Sequence, residues 1–180
     1  MKITLLIFFL CIANLVHGQD QEAYDSVKFE FTKVVSVEGM NAQTLYSNAK
    51  LFIAKAFVSA KEVTQLADEK SNTIVAKGIF QIPYEGTGAF AYLKDFLTRF
   101  TLEIRTKDNK YQYILNDFIV AQPDFYYNGD NLSELYAKKK GEMNKKGHKK
   151  LWDAMKASAY SYVQDFTKDL EDQMKKKNDF

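Results

Sequence analysis

The chain has 180 residues, of which 46% are hydrophobic and 27% are charged. This composition supports one compact domain with a hydrophobic core and excludes a largely disordered protein. The formal net charge is +2 at pH 7, which is less positive than is typical of nucleic-acid-binding domains. We therefore expect no nucleic-acid partner.

The first 18 residues predict a signal peptide. Lys2 precedes an apolar run over residues 3–16, and residues 16–18 fit a cleavage site before Gln19. A transmembrane anchor is the weaker alternative, because the run is shorter than the roughly 20 residues that a bilayer requires. We therefore expect an exported protein, periplasmic or extracellular, whose mature chain spans residues 19–180 as a single domain.

Cysteine and histidine are scarce in this chain. Cys11 is the only cysteine and lies within the signal peptide, so the mature chain has no disulfide, thiolate nucleophile or cysteine-based metal site. After cleavage His148 is the only histidine, and the lysines around it disfavour its protonated form and repel a metal cation. The sequence therefore predicts neither a metal nor another cofactor.

The first predicted elements are a strand and a helix. From Val27 to Val37 apolar residues alternate with polar ones, as in a half-buried strand, and Lys33 and Val34 each break the pattern once. From Asn41 to Phe57 the spacing of apolar residues predicts an amphipathic helix with Asn41 as its N-cap. Its apolar stripe consists of Leu45, Ala49, Phe52, Ile53, Ala56 and Phe57.

Four further strands are predicted in two hairpins. Val63 to Ala67 and Thr73 to Pro83 flank one polar turn, and Thr98 to Thr106 and Tyr111 to Val120 flank another. Between the hairpins, over residues 86–98, apolar residues spaced three and four apart favour a short helix. For residues 89–97 a strand is the alternative interpretation. These apolar residues are Phe90, Leu93, Leu97 and Phe100.

The last part of the chain contains a connection and a helix. Residues 121–147 are polar and rich in turn formers, with one short helix expected near residues 133–140. Over residues 148–177 apolar residues recur every three or four positions, which predicts a second long amphipathic helix. The order strand, helix, four strands, helix predicts an α+β domain, in which two helices cover one face of an antiparallel sheet of about five strands.

Three segments resemble a known family. They are the helix core LYSNAKLFIA at residues 45–54, Lys77-Gly78 in the first hairpin, and FTLEI at residues 100–104 leading into KDNKYQY at residues 107–113. With the export signal, they resemble the exported bacterial proteins of domain of unknown function 4468, over residues 27–120. The resemblance implies a TATA-binding-protein-like (TBP-like) fold with a curved sheet. It implies no activity, since the family has no established catalytic residues and fold does not define function.

Aromatic residues after the last strand are the first candidate for ligand contact. Phe125, Tyr126 and Tyr127 are consecutive in a polar loop, where they would suit stacking on a sugar or a peptide. In the alternative interpretation, which we favour, they cover the edge of the sheet or the core.

Basic side chains form two further candidate surfaces. Lys77, Arg99 and Arg105 are predicted on the solvated face of the sheet, where an envelope protein or a small ligand could bind. The lysine run from Lys138 to Lys150 would suit a weak contact with anionic lipid, at up to about 1 kcal/mol per lysine near the surface. A soluble run of charge is the interpretation of these lysines that we favour.

The sequence contains no recognisable catalytic set. It lacks a convincing Ser-His-Asp set and a glycine-rich phosphate loop, and Asp165, Asp169 and Asp172 are interleaved with lysines as in a solvated helix face. Asp117 and Asp124 would form a pair only if the fold brings them together. We therefore expect a non-catalytic envelope module that binds a partner protein or a small ligand. The alternative is a carboxylate-dependent hydrolase of envelope glycans, which requires two carboxyls roughly 5 to 10 Å apart across a cleft.

Overall fold

A computed structural model describes residues 29–84, 94–123, 125, 127–133 and 146–177, with side chains from residue 149 onward in the last range. No helix in these ranges has both the length and the apolar composition needed to cross a membrane. Several predicted features lie outside the described residues: the signal peptide, Val27, Phe90, Leu93, Asp124, Tyr126 and the lysines of residues 138–145.

The described ranges form a five-stranded antiparallel sheet and three helices. The strand order is β1-β5-β4-β3-β2, so β1 and β2 are the edges of an open sheet. The predicted α+β class is therefore confirmed. In chain order the elements are β1 (Phe31–Ser36), α1 (Ala42–Ala56), α2 (Ala60–Val63), β2 (Thr64–Asp68), β3 (Thr73–Pro83), β4 (Asp95–Lys107), β5 (Lys110–Val120) and α3 (Lys146–Met174).

The helix α1 forms where the apolar stripe predicts it. The stripe from Leu45 to Ile53 is buried, and Asn41 caps the helix because its Oδ1 accepts a hydrogen bond from the Thr44 N–H at 2.7 Å. The ring of Phe52 lies on Phe166 of α3, with 5.1 Å between centroids. α1 therefore packs against α3 as well as against the sheet.

Both long helices contact the same face of the sheet. Phe80 and Phe100 stack at its centre with 3.7 Å between ring centroids, and Phe166 of α3 lies 4.8 Å from Phe80. Each large buried side chain of this kind contributes roughly 1.5 to 3 kcal/mol. The opposite face, which we call the uncovered face, carries the odd-numbered residues of β3 and β4. The buried side chains of these two strands are Ile74, Ala76, Phe80, Ile82, Phe96, Thr98, Phe100, Leu102, Ile104 and Thr106.

The helix predicted before β4 is wrong where the structure describes it. β4 begins at Asp95, three residues before the predicted start at Thr98, and Phe96 is buried while Leu97 pairs with Gln81 of β3. The strand places Phe96 and Phe100 on the helix-covered face and Leu97 on the other. Leu97 and Phe100, two of the four residues whose spacing suggested a helix, therefore lie on opposite faces of one strand.

β1 keeps a regular alternation of faces through Lys33 and Val34, the two residues that depart from the apolar pattern. Phe31, Lys33 and Val35 lie on one face without interruption, and Val34 points to the other face with 57% of its surface exposed. The Lys33 ammonium reaches inward to Glu171 of α3, where Nζ and Oε1 are 3.0 Å apart. A lysine at this position thus belongs to the buried pattern, because its charge is paired.

Candidate binding groove

A groove of about 610 Å³ lies on β3, β4 and β5, beside the segment that links α1 to α2. Its lining includes Lys77, Ile79 and Arg99 from the uncovered face, and Phe57 and Phe100 from the helix-covered side. Because residues from both faces line it, the groove extends around the edge of β3. Its volume falls within the range of roughly 300 to 1,000 Å³ that is typical of small-molecule sites.

Gly78 provides the space at the apolar end of this groove. α1 ends at Ala56, and the ring of Phe57 then lies on Phe100 with 6.0 Å between centroids. A Cβ on residue 78 would lie 2.8 Å from Cε1 of Phe57 and 2.9 Å from Cε1 of Phe100, which is closer than side chains can approach. Glycine therefore allows Phe57 to pack there, and the adjoining Val58 is fully exposed at the groove wall.

A β-bulge directs a carboxylate into the groove. Arg99 pairs with Ile119 and Thr101 pairs with Asn116, so β5 has one residue more than β4 between these pairs. Asp117 lies at the bulge in the left-handed region, with φ 55°, a conformation that aspartate tolerates better than most residues. Its Oδ2 accepts a hydrogen bond from Thr101 Oγ1 at 3.2 Å, and the bulge leaves both Asp117 and Ile119 lining the groove.

The basic residues predicted on the solvated face divide into two sets. Lys77 and Arg99 line the groove, are exposed, and form no ion pair with any residue that the structure describes. Ile79 pairs directly with Arg99, so Lys77 and Arg99 are diagonal neighbours with about 7 to 8 Å between Cα atoms. Arg105 instead forms an ion pair with Glu103 at 2.5 Å and does not line the groove.

Two carboxylates share the groove. Glu62 of α2 and Asp117 of β5 both line it, and both are exposed. Asp117 is one half of the carboxylate pair considered from the sequence, and its suggested partner Asp124 lies outside the described residues. Within the described ranges there is no group of three or more His, Cys, Asp or Glu residues that could hold a metal ion.

The aromatic loop does not present Tyr127 to solvent. Tyr127 is fully buried, and its ring lies 5.4 Å from Trp152 of α3 and 5.3 Å from Phe125 between centroids. Phe125 is partly buried against the core. Tyr127 therefore follows the interpretation that we favoured, in which the loop covers the core, because the aromatic surface gains more from burial under α3 than from solvent.

The described charged residues of α3 do not line the groove. Lys149 and Lys150 are exposed on the first turns of α3, and Lys149 pairs with Asp153 four residues later. The three aspartates Asp165, Asp169 and Asp172 are exposed on the same helix, as expected of a solvated face.

Sequence reasoning missed the bulge and the wall formed by Val58 and Glu62. The bulge had a detectable signal, because the buried residues change from odd positions before Asn116 to even positions after Asp117. Asparagine and aspartate are also the residues that most readily adopt positive φ. The wall had no such signal, since the four-residue helix α2 is too short to show a period.

The fold and groove define an α+β protein whose open five-stranded sheet carries its long helices on one side and a groove at the edge of β3. Residues 31–120, half of the chain, match the family described as domain of unknown function (DUF4468) with TBP-like fold. The chain belongs to this family, which confirms the resemblance seen in the sequence.

Solved structures show the same fold. A DUF4468 family protein from Bacteroides ovatus superposes with a TM-score of 0.63 at 15% identity, covering 86% of this chain and 90% of that one. A TBP-like protein from Parabacteroides distasonis superposes with a TM-score of 0.57 at 13% identity, covering 81% and 94%. Identities this low establish the fold alone. A comparison with curated protein sequences finds no match.

Proposed function

We propose that this protein is an exported, non-catalytic binding module of the cell envelope that takes its ligand in the groove beside β3. One observation carries the proposal: Lys77 and Arg99, without ion-pair partners among the described residues, border a groove of about 610 Å³. Two neighbouring cations that form no ion pair attract an anionic group, and arginine binds a carboxylate through two parallel hydrogen bonds.

The other residues that line the groove restrict the class of ligand further. Ile79 and Ile119 place apolar surface next to the two cations, so the ligand that fits is anionic and partly apolar. Glu62 and Asp117 equal the two cations in number, so the groove lacks the net positive charge that binding along a phosphate backbone requires. The expected partners are therefore an envelope protein or a small organic acid.

A hydrolase of envelope glycans is the second candidate function, because Glu62 and Asp117 line one groove. A glycosidase usually keeps its general acid protonated by burying it, whereas both of these carboxylates are exposed. Release of reducing sugar from envelope glycans by the wild type, abolished in Asp117→Asn and Glu62→Gln, would establish this second function and overturn the first.

The binding proposal is tested by capture from envelope extract of the native host. Bait protein should retain a ligand or protein that is lost when Lys77 and Arg99 are both replaced by Gln. Arg105→Gln is the matched control, since Arg105 is a cation on the same face that is already paired with Glu103. Retention that is equal for all three baits would refute a role for the groove.

Export is part of the same proposal and is checked on protein purified from that host. Its intact mass should correspond to an unlipidated chain beginning at Gln19, and a mass that includes a diacyl adduct on Cys11 would contradict this. The lysine run from Lys138 to Lys150 would add a weak contact with an anionic surface, as juxtamembrane lysines do. Full-length protein confined to the cytoplasm would contradict the envelope location.

A further inference from the structure

β3 has an edge that no described strand occupies. β2 pairs with β3 only from Thr73 to Ala76, whereas β3 continues to Pro83. On its other side β3 pairs with β4 along its whole length. From residue 77 to 83 the outer edge therefore has no strand partner among the described residues, although α2 also contacts β3.

The hydrogen-bond register shows which backbone groups face this edge. The Tyr84 N–H donates to Lys94 O at 2.8 Å, so the even-numbered residues of β3 direct their N–H and C=O groups toward β4. Ile79 and Gln81 consequently direct theirs outward. Neither outward set has a hydrogen-bond partner in the part of the chain that the structure describes. Pro83 has no N–H group, so the outward-facing N–H groups of β3 end at Gln81.

Open edges are usually protected by charge or by proline, and β1 carries the inward charge of Lys33. The free part of β3 has Lys77 and Pro83 at its two ends. Between them it presents Ile79 with 56% of its surface exposed, next to the fully exposed Val58. Free backbone groups beside exposed apolar side chains are what an added strand requires.

Resting on the proposed function, we propose that the ligand of the groove is an extended peptide segment of a partner protein that pairs with β3. Side chains of a strand alternate between two faces, and the groove has two matching sides. Acidic residues of the peptide would meet Lys77 and Arg99 on the uncovered face. Apolar residues between them would pack against Phe57 and Val63 on the other side. The partner segment is thus extended, with acidic and apolar residues in alternation.

The probe is the acetylated and amidated peptide Thr-Glu-Val-Glu-Val-Glu-Thr, titrated into full-length mature protein. Binding should slow the exchange of the Ile79 and Gln81 amide hydrogens, measured by NMR, because these groups gain partners. The same peptide with N-methyl groups on its glutamates should bind roughly tenfold more weakly or worse, because in antiparallel pairing these residues lie opposite Ile79 and Gln81 and donate their N–H groups to β3.

Ile79→Pro removes one outward N–H and should weaken binding of the peptide by roughly tenfold. Val34→Pro is its matched control. The Val37 N–H donates to Asn109 O, so Val34 directs its N–H away from β5, and the exposed fractions of Val34 and Ile79 are 57% and 56%. Val34→Pro should bind normally, and a far-UV spectrum shows whether each variant folds. The N-methylated peptide supplies the same test on wild-type protein.

The outcomes separate this inference from the proposed function. Binding that is lost with Lys77→Gln and Arg99→Gln but unchanged by Ile79→Pro and by N-methylation would leave an anion-binding groove and refute strand addition. Pairing of two copies through β3, seen as a dimer in sedimentation, would assign the edge to a second chain and also refute it. A peptide that binds equally to wild type and to the double Gln variant would overturn both.

Discussion

Gly78 lies where β3 passes beneath two aromatic rings, and the absence of a side chain there shapes the groove. The Phe57 and Phe100 rings approach the position where a Cβ would stand to within 2.8 and 2.9 Å. The lysine before this glycine and the isoleucine after it both point to the uncovered face. The packing of the core at Gly78 thus also determines the shape of the candidate groove.

Gly78→Ala should lower the free energy of unfolding by about 1 to 3 kcal/mol, because the added methyl group forces the rings apart. Urea unfolding measures this loss. In a Phe57→Ala background, where one of the two rings is removed, the further loss caused by Gly78→Ala should be smaller. A Gly78→Ala protein as stable as the wild type would show that the rings are not held in this arrangement.

The position of a side chain could be predicted from the sequence where the residue follows a repeating pattern. Alternation in β3 and β4 was sufficient to place Lys77 and Arg99 on the exposed face. Tyr127 follows no repeat, and its position depends on contact with Trp152, which is 25 residues away in sequence. Contacts over such separations depend on how the chain folds back on itself, and no local pattern encodes them.

At the scale of elements, α3 is held to the sheet by one carboxylate as well as by apolar packing. Glu171 accepts hydrogen bonds from the Lys33 ammonium at 3.0 Å and from the Tyr113 hydroxyl at 3.3 Å. Tyr111, two residues earlier on β5, is also buried, but its hydroxyl has no partner among the described residues. Burial raises the pKa of Tyr111, and the charges of Glu171 and Asp172 raise this pKa further.

Replacement of each tyrosine by phenylalanine should have opposite effects on stability. Tyr111→Phe removes an unpaired buried hydroxyl and should stabilise the protein by about 1 kcal/mol, whereas Tyr113→Phe should destabilise it by about 0.5 to 1.5 kcal/mol. Both free energies of unfolding are measured at pH 7 in urea. Two changes of the same sign would contradict the described hydrogen bonding of Glu171.

The raised pKa of Tyr111 also predicts that the free energy of unfolding depends on pH in the alkaline range. Above pH 10 a tyrosine in the unfolded chain loses its proton, while buried Tyr111 keeps its own because its pKa is raised. The unfolded state then binds fewer protons than the folded state, so stability falls as the pH rises above about 10. The free energy of unfolding should fall less steeply in Tyr111→Phe over this range.

The long helices and strands are the elements that the sequence predicts correctly. The apolar stripes of α1 and α3 extend over several turns, and the alternation in β3 and β5 extends over many residues, so each gives a clear period. α2 has only four residues, and the start of β4 has apolar residues on both faces, so neither segment shows a clear period of apolar residues. These two elements are defined by their pairing and packing with β2 and β3.

For the whole molecule, the arrangement of helices determines where a ligand can bind. α1 and α3 share one face of the sheet, and β2 covers only the first part of β3. The remaining edge and the uncovered face meet at Ile79, where Lys77 and Arg99 supply positive charge.

Photo-cross-linking in the native host tests the central claim, that the groove beside β3 binds a ligand or partner in the envelope. A benzophenone amino acid in place of Ile79 should give an adduct of increased mass after irradiation of intact cells. The adduct should disappear when Lys77 and Arg99 are also replaced by Gln. The same amino acid in place of Val34, which is equally exposed on β1 at 57% against 56% for Ile79, should give none. Adducts of equal yield at both positions, or at Val34 alone, would contradict the account.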